Sequence, residues 1–134
     1  MMSLPNVEVR ERAIDVWAGR IKLRVKTAGS GAPLVYLHPA GGLFFDPFLA
    51  ALSAQYAIYA PEIPGTSAGD PNAIHEVDSL SDLVLIYEEA LAKLELPSAP
   101  VVIGQSFGGM LAAELASCFP KLFAKVVLCD PIGL

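Results

Sequence analysis

The sequence predicts an α/β fold, a mostly parallel sheet with helices on both faces. Three observations carry that prediction. Short apolar runs at residues 34–37 and 101–103 are bounded by turn residues, as strands buried on both faces require. Amphipathic runs of helical length alternate with them, and such alternation brings parallel strands together through right-handed crossovers. An opening pair of polar–apolar alternating segments reads instead as an antiparallel hairpin.

Taken in order, residues 7–15 and 20–26 form that hairpin around Trp17-Ala18-Gly19. In Ile21-Lys22-Leu23-Arg24-Val25-Lys26 the charges fall on every second residue, so the basic stretch reads as a solvated strand face rather than an anion-binding arm. Gly29-Ser30-Gly31-Ala32-Pro33 breaks the chain before the strand at 34–37. A loop at 38–42, a short helix over about 46–54 and a strand at 56–60 follow. Residues 66–78 read as an irregular loop. Ser79-Leu80-Ser81-Asp82 fits a capping box, with Ser79 bonding orphan amides and Asp82 reaching back. Leu83, Ile86, Tyr87, Ala90, Leu91 and Leu94 then recur at helical spacing, giving an amphipathic helix to about Leu94. Pro97-Ser98-Ala99-Pro100 is expected to end that helix. A strand at 101–103, a helix at 107–118 and a strand at 125–129 complete the order.

Composition sets bounds on function. At 134 residues the chain is one domain at most. An apolar share of 54% and a mean hydropathy of +0.51 imply strands buried on both faces, or a surface that expects a partner. A net charge of −5 argues against a nucleic-acid partner, which needs a basic face. The start shows no basic flank followed by an apolar block, and the uncharged stretch at 96–113 is interrupted by Pro, Gly, Ser and Gln. Neither a secretory signal nor a membrane span is therefore expected, and the reading is of a cytoplasmic protein. Cys118 and Cys129 lack disulfide or metal spacing and read as reduced, buried thiols.

The strongest chemical signal is Gly104-Gln105-Ser106-Phe107-Gly108, followed by Gly109. It directly follows the strand at 101–103 and opens an amphipathic helix, the context of a nucleophile elbow. A serine on such a strained turn projects its Oγ above the sheet edge. Crowding there requires residues without a β-carbon two before and two after, hence Gly104 and Gly108. The helix N-terminus beneath Ser106 offers unpaired amides and a positive dipole end to a developing oxyanion.

A second signal is Leu37-His38-Pro39-Ala40-Gly41-Gly42 at the end of an earlier strand. With it the chain resembles the α/β-hydrolase family. The resemblance implies two oxyanion donors, the N–H of Phe107 and the N–H of Ala40, with Gly41 as the alternative if the loop is shifted by one. Pro39 departs from the family's usual glycine and has no N–H to donate. The resemblance also implies that His38 shapes this loop rather than acting as the base. Tyr59-Ala60-Pro61-Glu62-Ile63-Pro64-Gly65-Thr66-Ser67 is similar to the family's D-x-P-G-x-G-x-S loop at a strand end, with Glu62 in place of Asp and expected to hold the loop by hydrogen bonds. Residues 115–120 and 125–131 resemble the end of the nucleophile helix and the strand that follows.

Family members place their triad in the order serine, acid, histidine. The two histidines here, His38 and His75, both precede Ser106, so the base is expected outside this chain. His75 reads as a solvated loop residue. Asp130 is the candidate acid, at the carboxyl end of a strand where active-site groups gather; before Pro131 it is equally readable as a strand terminator. Phe44, Phe45 and Phe48 read as ordinary core, with an apolar pocket wall as the other reading. The chain stops where the family usually inserts a cap. It is thus expected to be the N-terminal part of a longer hydrolase, truncated after the strand that follows the nucleophile helix, or to self-associate through its exposed C-terminal sheet edge. The implied activity is that of a serine hydrolase acting on an ester or similar small-molecule carbonyl substrate, C–C bond hydrolysis included, with no metal or organic cofactor. The alternative is a non-catalytic binding or interaction module of the same fold.

Overall fold

A computed structural model describes residues 7–66 and 70–133. The alternation at the start of the chain does form a hairpin. β1 (Arg10–Val16) and β2 (Ile21–Ala28) pair antiparallel, with Ile14 opposite Leu23 and Val16 opposite Ile21, all four buried. The opposite face is charged and solvated, with Lys22 bonded to Asp15 at 2.9 Å and Arg24 to Glu11 at 3.0 Å. Exposed pairs of this kind contribute little to stability, so the basic stretch serves to keep one strand face wet.

The remaining strands are β3 (Ala32–Leu37), β4 (Tyr56–Pro61), β5 (Val101–Gln105) and β6 (Lys125–Cys129). All six form one sheet in the order β1-β2-β4-β3-β5-β6. β2 joins β4 antiparallel, while β4, β3, β5 and β6 run parallel. Successive side chains of β3 point to opposite faces, and each face has its own core. Leu34 and Tyr36 pack with Ile58, Ile103 and Leu49 of α1 (Pro47–Leu52). Val35 and Leu37 join the larger cluster with Val102, with Ile86 and Tyr87 of α2 (Leu80–Lys93), and with Leu111 and Leu115 of α3 (Phe107–Cys118). Helices on both faces follow from this two-sided burial. Among the described residues no helix is long and apolar enough to cross a membrane.

Several local expectations need correction. Asp82 does reach back at the start of α2, but its carboxylate accepts from the amide of Asp78 at 3.1 Å, one residue before the Ser79 cap. α2 ends at Lys93 with Leu94 as its cap, as the spacing predicts, but the cause of the stop differs: Glu95 adopts a left-handed conformation (φ 54), and its N–H bonds the carbonyl of Ala92. The left-handed residue, not Pro97, stops the helix. The loop at 66–78 contains a 3₁₀ turn over Ala73–Glu76. Cys118 is exposed rather than buried, and both cysteines are free. Phe44 and Phe48 are 73% and 50% exposed, so of the three phenylalanines only Phe45 packs against core. β6, outermost in the sheet, leaves Val126, Val127 and Leu128 exposed.

Ser79 accepts from the amide of Asp82 at 3.1 Å and satisfies one orphan donor of α2, whose buried face holds much of the core. Ser79→Ala is expected to lower unfolding free energy by about 1 kcal/mol, read as a reduced urea midpoint with unchanged slope.

Candidate active site

The parallel strands all end on one side of the sheet, and there β5 turns into α3. Ser106 sits on that turn at φ 54 and ψ −115, a backbone state costing roughly 1–3 kcal/mol for a residue with a side chain. Four backbone hydrogen bonds hold it. Its N–H donates to Cys129 O at 2.9 Å, and its carbonyl accepts from Gly109 at 3.0 Å, Met110 at 3.1 Å and Ile132 at 3.3 Å. The end of β6 and the segment after it thus wrap the elbow.

The glycines are required by contact. A β-carbon on Gly108 would overlap the carbonyls of Leu37 and His38, and one on Gly104 would overlap the carbonyl of Gly108. The N-terminus of α3 therefore lies directly against the end of β3. That closeness brings the loop after β3 beside Ser106. A further tether, which the sequence did not reveal, runs from the hydroxyl of Tyr36 to Oε1 of Gln105 at 2.9 Å.

His38 is fully buried in the loop after β3. Its Nδ1 lies 2.7 Å from the carbonyl of Pro39, and its Nε2 accepts from the N–H of Ile63 at 2.8 Å. One ring nitrogen must donate and the other accept, so the neutral tautomer with the proton on Nδ1 fits both bonds. Burial holds this imidazole below its ordinary pKa, against the opposing effects of the Pro39 bond and Glu62. His38 thereby joins two turns. In one, Gly42 N–H closes on Pro39 O at 3.1 Å. In the other, Thr66 N–H closes on Ile63 O at 3.0 Å, with Pro64 and Gly65 (φ 91) at its centre. Proline followed by a glycine at positive φ is the signature of a type II turn.

Between these turns and the elbow lies a cavity of about 190 Å³ lined by Ala40, Ile63, Pro64, Gly65, Thr66, Ile74 and Phe107. Ala40 and Phe107 both border it, and Gly41 does not. Among the described residues neither the Ala40 nor the Phe107 amide donates to a protein acceptor, as expected of a helix N-terminus for Phe107. A larger cleft of about 550 Å³ runs past Arg10, Arg12, Gly29 and Ser53 at the other end of the sheet, but the hydroxyl of Ser53 is bonded to its own helix. The smaller cavity is the one that adjoins the elbow.

The other candidates fall in different places. Asp130 follows β6 at φ 46, exposed, and makes no hydrogen bond or ion pair among the described residues. His75 is exposed within the 3₁₀ turn. Glu62 is nearly buried, and its carboxylate holds Lys26 of β2 at 3.6 Å; among the described residues it makes no hydrogen bond to the loop. Ile63, Thr66 and Ile74 had not been picked out from the sequence as site residues. The Pro64-Gly65 pair was the available signal for the first two.

Residues 34–134 match the model of a family described as the alpha/beta hydrolase family. A 2-(acetamidomethylene)succinate hydrolase of Mesorhizobium japonicum is 26% identical over 122 residues, covering 89% of this chain and 42% of that protein. A pimeloyl-[acyl-carrier protein] methyl ester esterase of Shewanella woodyi is 30% identical over 101 residues, 74% of this chain and 36% of that protein. An epoxide hydrolase structure from Vigna radiata superposes with a TM-score of 0.76 at 22% identity, over 90% of this chain and 39% of that one. The chain spans about two fifths of the length of the curated relatives it matches.

Two outcomes follow from this geometry. Gly108→Ala is expected to destabilise by at least about 3 kcal/mol, because the new methyl meets backbone that cannot move aside; circular-dichroism melts read this as a lost or strongly lowered transition. His38 has a folded pKa below its unfolded value of about 6.5. Its contribution to stability is full above about pH 6.5 and is lost as pH falls through the lower folded value. Urea unfolding from pH 7.5 to 5 is expected to show a steeper loss in the parent chain than in His38→Gln.

Proposed function

Because the chain belongs to the alpha/beta hydrolase family, we propose that it carries the nucleophile part of a serine hydrolase acting on an ester or similar carbonyl substrate. The carrying observation is Ser106, held at φ 54 on a strand-to-helix turn beside a cavity that Ala40 and Phe107 both border. In this reading Ser106 Oγ attacks the substrate's carbonyl carbon. The carbonyl oxygen takes up negative charge and is met by the amides of Phe107 and Ala40, with the dipole of α3 adding to the effect. Ala40 is preferred to Gly41 because it alone of the two borders the cavity. Asp130 is kept as the candidate acid; the support for it is that it directly follows Cys129, whose carbonyl accepts from Ser106 N–H. The methyl ester esterase among the relatives supports an ester substrate. A ketone carbonyl, attacked in the same way, would extend the reading to C–C bond hydrolysis.

A serine hydroxyl is a weak nucleophile until a base takes its proton. His38 does not serve, since both ring nitrogens are engaged with backbone. His75 lies exposed on the 3₁₀ turn. The proton therefore goes to a group outside these residues, and the 134-residue chain by itself is inactive. The same observation favours a second reading, a binding module that keeps the elbow and cavity without turnover.

Labelling with a fluorophosphonate distinguishes them. Oγ would form a bond to phosphorus as fluoride leaves and the serine proton passes to solvent. Slow labelling confined to Ser106, faster with rising pH and absent in Ser106→Ala, is expected by intact-mass analysis, together with no turnover of p-nitrophenyl butyrate. No adduct on Ser106 would sink the serine-hydrolase reading, and Ser106-dependent turnover would show that a base lies within the chain.

A further inference from the structure

We infer that the cavity beside Ser106 receives a short, uncharged, apolar acyl group, and that Ile74 sets the length it accepts. This inference rests on the serine-hydrolase reading of the same site. The size comes first. About 190 Å³ holds roughly six groups of water size, at about 30 Å³ each, enough for a carbonyl and a chain of four or five carbons.

The chemistry of the walls comes next. Ala40, Ile63, Pro64, Gly65, Ile74 and Phe107 bring no polar side chain. Among the described lining residues the single hydroxyl, that of Thr66, already donates to Ile63 O at 2.6 Å. Among the described residues no charged side chain lines the space, and Lys26 is committed to Glu62. A carboxylate or ammonium on the acyl group would thus lose its water without gaining a partner, which is strongly unfavourable. Methylenes gain by the same transfer.

Ile74 is the adjustable wall. It projects from the 3₁₀ turn, whose backbone is closed by His75 N–H to Asn72 O and Val77 N–H to Ile74 O, both at 3.0 Å. Ala73 beside it is buried and anchors the turn. Ile74 itself stays 43% exposed, so one side meets the cavity and the other meets solvent. It also sits on the Pro64-Gly65 turn so closely that a β-carbon at residue 65 would come within 2.7 Å of its Cβ. Gly65 is what allows Ile74 to close down on the cavity. Because Ile74 is half exposed, shortening it changes the cavity without removing core.

Alkylboronic acids from methyl to octyl test this on the purified chain, since they need no general base. Ser106 Oγ bonds to boron, which becomes a tetrahedral anion, and the serine proton leaves to solvent. Affinity is read by NMR at the Ile74 methyls and at the amides of Ser106 and Phe107. The expected result is a gain of about fourfold per added methylene up to butyl or pentyl, then a plateau. A terminal carboxylate on the probe should cost tenfold or more. Ile74→Ala should move the plateau two or three carbons longer, and Ile74→Phe should shorten it. Equal affinity across lengths, an unpenalised carboxylate, or an unmoved plateau in Ile74→Ala would overturn the inference while leaving the serine reading intact. 1-Butanol, which needs no serine, is run alongside. If it shifts the Ile74 methyls while no boronate perturbs Ser106, the serine reading fails and the apolar cavity stands. If neither probe shifts Ile74, the inference fails.

Discussion

The contact between the start of α3 and the end of β3 governs the geometry of this molecule. Residue 108 lies so near the carbonyls of Leu37 and His38 that no β-carbon fits between them. Two strands that neighbour each other in the sheet, β3 and β5, therefore also bring their following loops into contact. Without that approach Ser106 would stand on a turn with nothing beside it. With it, Phe107, which follows the serine, and the loop through Ala40 border one small space. The strain at Ser106 is part of the same constraint. A residue at φ 54 holds because bonds from both sides, to Cys129 and from Ile132, leave the turn no alternative.

His38 extends this coupling to a third element. Its ring spans from Pro39 to Ile63, so the loop after β3 and the turn after β4 move as one unit. The bond to Ile63 needs a lone pair on Nε2, which only a neutral imidazole has. Burial supplies the neutrality. A residue type chosen elsewhere for its proton chemistry is here used for its two-ended, directional bonding. Glu62, next to Ile63 in the chain, is paired with Lys26 at 3.6 Å, and both ring nitrogens of His38 are engaged with backbone instead.

How much of this was legible in the sequence depends on how locally each feature is encoded. The bounds of α3 and β6 were readable because glycines and prolines bracket them with strong apolar patterns between. The elbow was readable because crowding admits few residue types at Gly104 and Gly108. The end of α2 near Leu94 was readable from the last apolar residue at helical spacing, but what stops it was not, because Glu95 takes a left-handed conformation that nothing in a glutamate announces. Phe44, Phe48 and Cys118 were read as buried from their types alone, yet a side chain's preference for burial does not say what covers it. Ile74 was hidden for a related reason. It reaches the cavity through a turn of four residues inside a loop, too short to show any period.

The placement of polar groups around Ser106 gives the site its character. Dipoles aimed at a developing charge act more strongly where water and competing charges are absent. Here, among the described residues, the only polar side chain lining the cavity is already bonded to backbone, and the Ala40 and Phe107 amides have no protein acceptor. Charge appearing on a substrate oxygen would thus meet two amides and a helix dipole, with no carboxylate among the described lining residues to oppose it. The same walls disfavour charge anywhere else on the substrate. The surroundings that would stabilise the oxyanion and those that would select an apolar acyl group are therefore one set of residues. A mutation that made the cavity polar would weaken both effects together.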